Sequence, residues 1–166
     1  MEDWIQWGIT TAVGIIGIFI GREWQKRDKT AAKDKETLTM IQNILPSAGS
    51  IEYIRSFDFG NIFDVDRLND LNQFIRASEQ PEFTFIDKEL ERLRQALITI
   101  VKKFYYELGN ESFPIKKYTS ERLNEIRRPE EVGDNEFDKQ QKYFNDLSLH
   151  VCENYDKLVI LAKRKL

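Results

Sequence analysis

Apolar residues follow two different patterns along this chain. Over residues 4–21 they run almost unbroken, eighteen positions without a charge and rich in Ile, Val, Phe and Trp. Eighteen helical residues rise about 27 Å, close to the roughly 30 Å hydrocarbon thickness of a bilayer. After Arg22 the pattern changes. Residues 22–45 hold no Gly or Pro and are mostly polar, with Leu38, Ile41 and Leu45 forming an apolar stripe that ends at Pro46. Further on, short apolar groups return at helical spacing. The pattern predicts a short helix over 51–57, a turn with apolar anchors over 57–63, and a helix capped by Asp64 that carries Leu68, Leu71, Phe74 and Ile75. The longest periodic run is 84–108, where Ile86, Leu90, Leu93, Leu97, Val101, Phe104 and Leu108 step by three or four and Gly109 stands in the C′ position. Ser120 and Glu121 open a shorter predicted helix that closes at Pro129, and 129–136 reads as an acidic loop. A last helix over 136–165 places Phe144, Leu147, Val151, Tyr155, Leu158 and Ala162 on one face. No segment alternates with period two, so the expectation is an all-α protein with essentially no sheet.

The flanks of the first run sharpen its meaning. Trp4, Trp7 and Trp24 lie near its ends, where amphipathic rings settle at membrane interfaces. Glu2 and Asp3 precede it, and Arg22, Lys26 and Arg27 follow. By the positive-inside rule the N-terminus lies outside and the rest in the cytoplasm. A cleaved signal peptide would show a basic leading region and a small-residue cleavage site, and neither is present. The expected organisation is a transmembrane anchor over 1–24, a juxtamembrane helix and linker over 25–49, and a cytoplasmic antiparallel helical bundle over 50–166. The anchor helix is expected to continue into the juxtamembrane helix.

Within the anchor, four of the chain's eight glycines recur at Gly8, Gly14, Gly17 and Gly21. A glycine in a helix costs roughly 1 kcal/mol relative to alanine, so their placement needs a reason. On a helical projection Gln6, Thr10, Gly14, Gly17 and Gly21 fall within an arc of about 80°. Such a small, weakly polar face permits close approach of a second helix, or lines a narrow lumen in a larger ring. Either use predicts a homo-oligomer in the lipid bilayer.

Composition narrows the chemistry. The 166 residues are 32% charged and 41% hydrophobic with a net charge of −3, which does not describe a strongly basic nucleic-acid binder. Cys152 and His150 are each the single residue of their type, so a disulfide within the chain is impossible and a Cys/His zinc site lacks ligands. No glycine-rich phosphate loop follows the anchor, and neither a metal nor a cofactor is expected. On the last helix Cys152 and His150 point about 200° apart, as do Ser148 and His150, so neither pair makes a nucleophile and base. Asp87 and Glu91 share a helix face with Lys88 and Arg92 beside them, which reads as a solvated charged face. The tail Lys163-Arg164-Lys165 complements the negative end of the last helix's dipole.

One local pattern carries a resemblance. The segment YFNDLSLH, 143–150, opens a late helix and resembles the Arg-x(4–6)-His motif of the HEPN superfamily, whose active members cleave RNA across a dimer. His150 matches the histidine and Asp146 is the kind of polar residue that often follows the arginine, but the arginine position holds Asn145. Without a guanidinium the pentavalent phosphate loses its main electrostatic support. Taken with the anchor and segments such as FIDKELERLRQAL, 85–97, the chain resembles the single-pass accessory proteins of type VI CRISPR systems. That resemblance implies a HEPN-like bundle on a bacterial inner-membrane protein and no enzymatic activity. The implied role is a pore-forming or membrane-depolarising accessory effector in antiphage defence, with a CRISPR effector or an RNA-derived signal as partner. Two other functions stay open at this point: a membrane-tethered ribonuclease using His150, and a non-enzymatic membrane scaffold.

Overall fold

Helix α1, over 29–44, turns Leu38 and Ile41 inward, and Leu45 follows them into the interior. It belongs to a computed structural model that describes residues 29–115 and 123–166. Pro46 stops α1, and the turn Ser47–Ile51, kinked at Gly49, leads directly into α2 (Glu52–Ser56). The next segment, 57–63, is irregular but firmly held. Phe59 and Phe63 are buried, and Phe59 meets Phe57, Phe63 and Phe104 edge-on at 5.2, 5.6 and 5.3 Å between ring centres. Each buried ring contributes about 1.5–3 kcal/mol over an exposed one, enough to fix a loop that has no regular hydrogen-bond ladder.

Asp64 accepts from the backbone N–H of Asp66 and starts the turn Val65–Leu68, which runs into α3 (Asn69–Ala77). Helix α4 (Lys88–Glu111) begins where Asp87 accepts from the N–H groups of Glu89 and Leu90 at 2.9 and 3.0 Å. A helical turn, α5 (Pro129–Val132), opens with proline at its first position. It ends at Gly133, whose φ of 86° lies in the left-handed region and reverses the chain into α6 (Asp134–Lys165). Helices α4 and α6 run antiparallel. The end of α6 reaches the start of α4 through Lys165 and Asp87, and the start of α6 reaches the end of α4 through Gln140 and Glu111. Phe144, Leu147, Val151, Tyr155, Leu158 and Ala162 are all buried, as the spacing predicts, against Leu90, Leu97, Val101, Phe104 and Leu108.

The expectations need four corrections. First, the fold is mostly helical but not all-α. The strands β1 (Phe63–Asp64), β2 (Ser112–Pro114) and β3 (Leu123–Ile126) form a small antiparallel sheet in the order β1-β3-β2, with Asn124 opposite both Phe63 and Pro114. The helix expected to open at Ser120 is thus replaced by β3 in its described part. Second, Gly109 is not a C′ residue, because α4 continues to Glu111 without entering a left-handed conformation. Third, Ile86 lies ahead of the helix and is exposed, since Asp87 sets the cap. Fourth, among the described residues no helix is long and apolar enough to cross a membrane. The long helices α4 and α6 carry charges along their whole length, and their apolar faces are consumed by the core. The transmembrane, pore and inner-membrane readings therefore find no support in the fold and are set aside. The segment they rested on lies outside the described residues. So do Gln6, Thr10, Gly14, Gly17 and Gly21 of the expected interface or lumen, and Trp4, Trp7, Arg22, Trp24, Lys26 and Arg27 of the expected membrane boundary.

Candidate functional site

The motif residues of α6 do not converge. Asn145 and His150 are five positions apart, which turns them about 140° from each other on a helix. Asn145 is occupied by structure: its Oδ1 accepts from the Phe59 N–H at 2.9 Å and its Nδ2 donates to Asp58 Oδ1 at 3.0 Å. Asp58 also accepts from Gln141 Nε2 at 2.7 and 2.9 Å and from the Gly60 N–H at 3.0 Å. These donors, Asn145 foremost, hold the Asp58 carboxyl below the usual carboxylate range. Gly60 is what lets Gln141 through, since a Cβ there would stand 2.5 Å from its Nε2. The amide at the arginine position thus fastens the aromatic loop 57–63 to α6. Asp146 turns to solvent and pairs with Lys142 at 2.6 Å. His150 is exposed, and only its backbone carbonyl is engaged, accepting from Asn154 Nδ2 at 2.8 Å.

Nucleophile and metal chemistry fare no better among the described residues. Cys152 is fully buried, points its thiol at the Ile51 carbonyl 3.6 Å away, and burial pushes its pKa up to about 11. Ser148 donates to the Asn145 carbonyl at 2.8 Å. No group of three or more His, Cys, Asp or Glu side chains could hold a metal ion there.

This geometry yields a direct expectation for the motif. Asn145→Arg, which writes the HEPN pattern back into the sequence, should lower stability by about 1–3 kcal/mol, because it leaves the Phe59 N–H unpaired in a partly buried site. It should not create ribonuclease activity. Single-stranded RNA incubated with the parent or the variant, without metal, should stay intact on a denaturing gel; cleavage that disappears in His150→Ala would reverse this reading.

A different place on the molecule is shaped to receive something. Pro129 starts α5, and the turn at Gly133 lays the first turns of α6 beside the last turns of α4. Between them opens a groove of about 560 Å³. Val132, Tyr143 and the buried Phe144 are its apolar lining, and the rest of it is polar or charged, Glu107, Glu111, Arg127 and Lys139 included. The Tyr143 hydroxyl donates to Glu107, and this carboxylate raises the phenol's pKa, so the ring stays neutral. Lys103 Nζ stands 5.5 Å from the ring centre. One turn beyond Glu107, Glu111 accepts from Gln140 Nε2 at 3.3 Å. Of the cations on the rim, Arg127 lies over Phe113 at 5.6 Å, and Lys139 pairs at 3.5 Å with Glu136, which lines the groove as well.

This groove is not among the expectations from sequence, although Tyr143 is the first residue of YFNDLSLH. A usable signal was present. Glu107 and Glu111 form an i,i+4 pair of like charge at the C-terminal end of a helix, where the dipole is also negative. Comparison with family models, with curated proteins and with solved structures finds no match to this chain.

Proposed function

We propose that this protein is a non-enzymatic helical binding module that receives a segment of a partner polypeptide in the groove between α4, α5 and α6. The groove supports the reading most directly: Tyr143 and Val132 stand among polar and charged side chains around a space of about 560 Å³, a volume within the roughly 300–1,000 Å³ of ligand sites. The commitment of Asn145 to the loop, about 140° around α6 from His150, favours binding over catalysis. In this reading the bundle is a degenerate HEPN-like domain that acts through another protein, in keeping with an accessory role in antiphage defence.

Site-specific photo-crosslinking in cells tests it. A photoreactive residue at Gln140 or Val132 should give one adduct of defined mass. The same residue at Glu153 or Lys157, on the outer face of α6, should give none. Equal adducts from both faces, or none from either, would overturn the groove as the working surface.

A further inference from the structure

The connection between α3 and α4, 78–87, is fastened differently in its two halves. The first half closes on itself, where the Phe83 N–H donates to the Gln80 carbonyl at 3.1 Å. The second half makes no such turn. Among the described residues the N–H groups of Phe85, Ile86 and Asp87 all go to side-chain carboxylates, the first to Glu91 and the other two to Asp34. Thr37 adds its hydroxyl to the Thr84 carbonyl at 3.3 Å. The hydrogen bonds that hold 84–87 down therefore come from side chains of α1 and α4. The exposed pair of Glu79 with Lys102, at 3.4 Å, adds little.

Arg94 lies directly beneath. Its Cζ stands 5.9 Å from the centre of the Phe83 ring, and Glu91 Oε2 accepts from Arg94 Nε and from the Phe85 N–H together. Arg94 is 3% exposed, and among the described residues its Nη1 has no hydrogen-bond partner. Packing alone does not call for a cation here, since apolar residues often replace a buried ion pair at no cost. Lifting the connection gives Nη1 a solvent acceptor, whereas the closed arrangement strands it. We infer that 78–87 is a lid over Arg94, which opens as a unit while the rest of the bundle stays folded. Segments held by few backbone bonds open at free energies below that of global unfolding. The buried rings of Phe83 and Phe85 oppose the opening and keep the closed state dominant. Closed, the lid keeps a guanidinium out of reach of acidic groups in solvent; open, it presents one.

Native-state hydrogen exchange and arginine-selective labelling with phenylglyoxal test it, both on the full 166-residue chain below its urea transition. The amides of Phe85, Ile86 and Asp87 should exchange about tenfold or more faster than those of Val101 and Val151 in the core, with a weaker dependence on urea. Arg94 should be labelled at a rate that follows those amides, and more slowly than the exposed Arg92. Thr37→Val removes the bond to Thr84 and keeps the shape of the side chain. It should speed lid exchange and Arg94 labelling by the same factor, roughly two- to fivefold, and leave Val101 and Val151 unchanged. Lid amides that exchange with the free energy and urea slope of Val101 would overturn the lid. Fast lid amides with Arg94 labelled only at the rate of global unfolding would mean fraying that never uncovers the guanidinium, and would overturn it too. If Thr37→Val does not fold, the two rates of the parent decide alone.

Discussion

Glu91→Ala should destabilise this protein by about 3–5 kcal/mol, the usual cost of stripping the partner from a buried charge. Arg94 is only 3% exposed, and Glu91 holds it with two hydrogen bonds, from Nε at 2.8 Å and from Nη2 at 2.6 Å. Among the described residues the remaining nitrogen, Nη1, is buried without a hydrogen-bond partner, so the guanidinium finds no second acceptor there. Glu91 also accepts from the Phe85 N–H at 3.1 Å and from Gln95 at 2.8 Å. Burial pushes the Glu91 carboxyl upward, but the donors, Arg94 first among them, outweigh it and leave the pKa below the ordinary value. A depressed carboxylate pKa gives stability that is complete above the unfolded value and fades as pH falls through the folded one. The parent should therefore lose stability below about pH 4.5, and this part of the acid loss should vanish in Glu91→Ala. Replacing the pair together, Glu91→Leu with Arg94→Met, should recover most of the loss, because a packed apolar pair removes the stranded charge. Urea unfolding of the three proteins measures all of this. A single-mutant cost below about 1 kcal/mol would mean that water reaches Arg94 and that the pair behaves as a surface ion pair.

The long helices were legible in the sequence because their signal is local. In α4 and α6 the core positions recur at steps of three and four residues, and the pattern survives whatever packs against it. The strands were not legible. Two to four residues leave no room for alternation, and β3 pairs with Phe63 and Asp64 some sixty residues earlier in the chain. The periodic run from 84 starts ahead of α4 because the apolar Ile86 fits the helical period but precedes the capping carboxylate of Asp87. The motif on α6 was misleading for a related reason. Asn145 stands at a position that reads as chemistry, while its hydrogen-bond partner, the Phe59 N–H, is 86 residues away and invisible to any local pattern. Of the groove's carboxylates the sequence showed only a like-charge pair, Glu107 and Glu111, one turn apart near the end of α4.

The same non-local logic makes Asp34 the second residue whose loss should be severe. It is 1% exposed, and its two oxygens accept from consecutive backbone N–H groups, Ile86 at 2.5 Å and Asp87 at 2.9 Å. The segment that Asp34 holds is itself a junction. Asp87 caps α4 and receives Lys165 from the end of α6 at 3.0 and 2.8 Å, while Thr37 donates to the Thr84 carbonyl at 3.3 Å. One carboxylate on α1 therefore fixes the point where three helices meet. Asp34→Ala leaves two part-buried donors unpaired, each costing about 1–3 kcal/mol when fully buried, for an expected loss of about 2–4 kcal/mol once partial hydration of the loop is allowed for. Asp34→Asn should cost about half as much, since its amide keeps one acceptor for Ile86 but presents a second donor to the Asp87 N–H. Lys165→Ala removes two part-exposed ion pairs, to Asp87 and to Glu89, and should cost about 1 kcal/mol or less. Amide hydrogen exchange locates the effect: protection at Ile86 and Asp87 should fall in both Asp34 variants and survive in Lys165→Ala. If Asp34→Asn matched the parent, the Asp87 N–H would have to find another acceptor, and the carboxylate would not be what joins α1 to the start of α4.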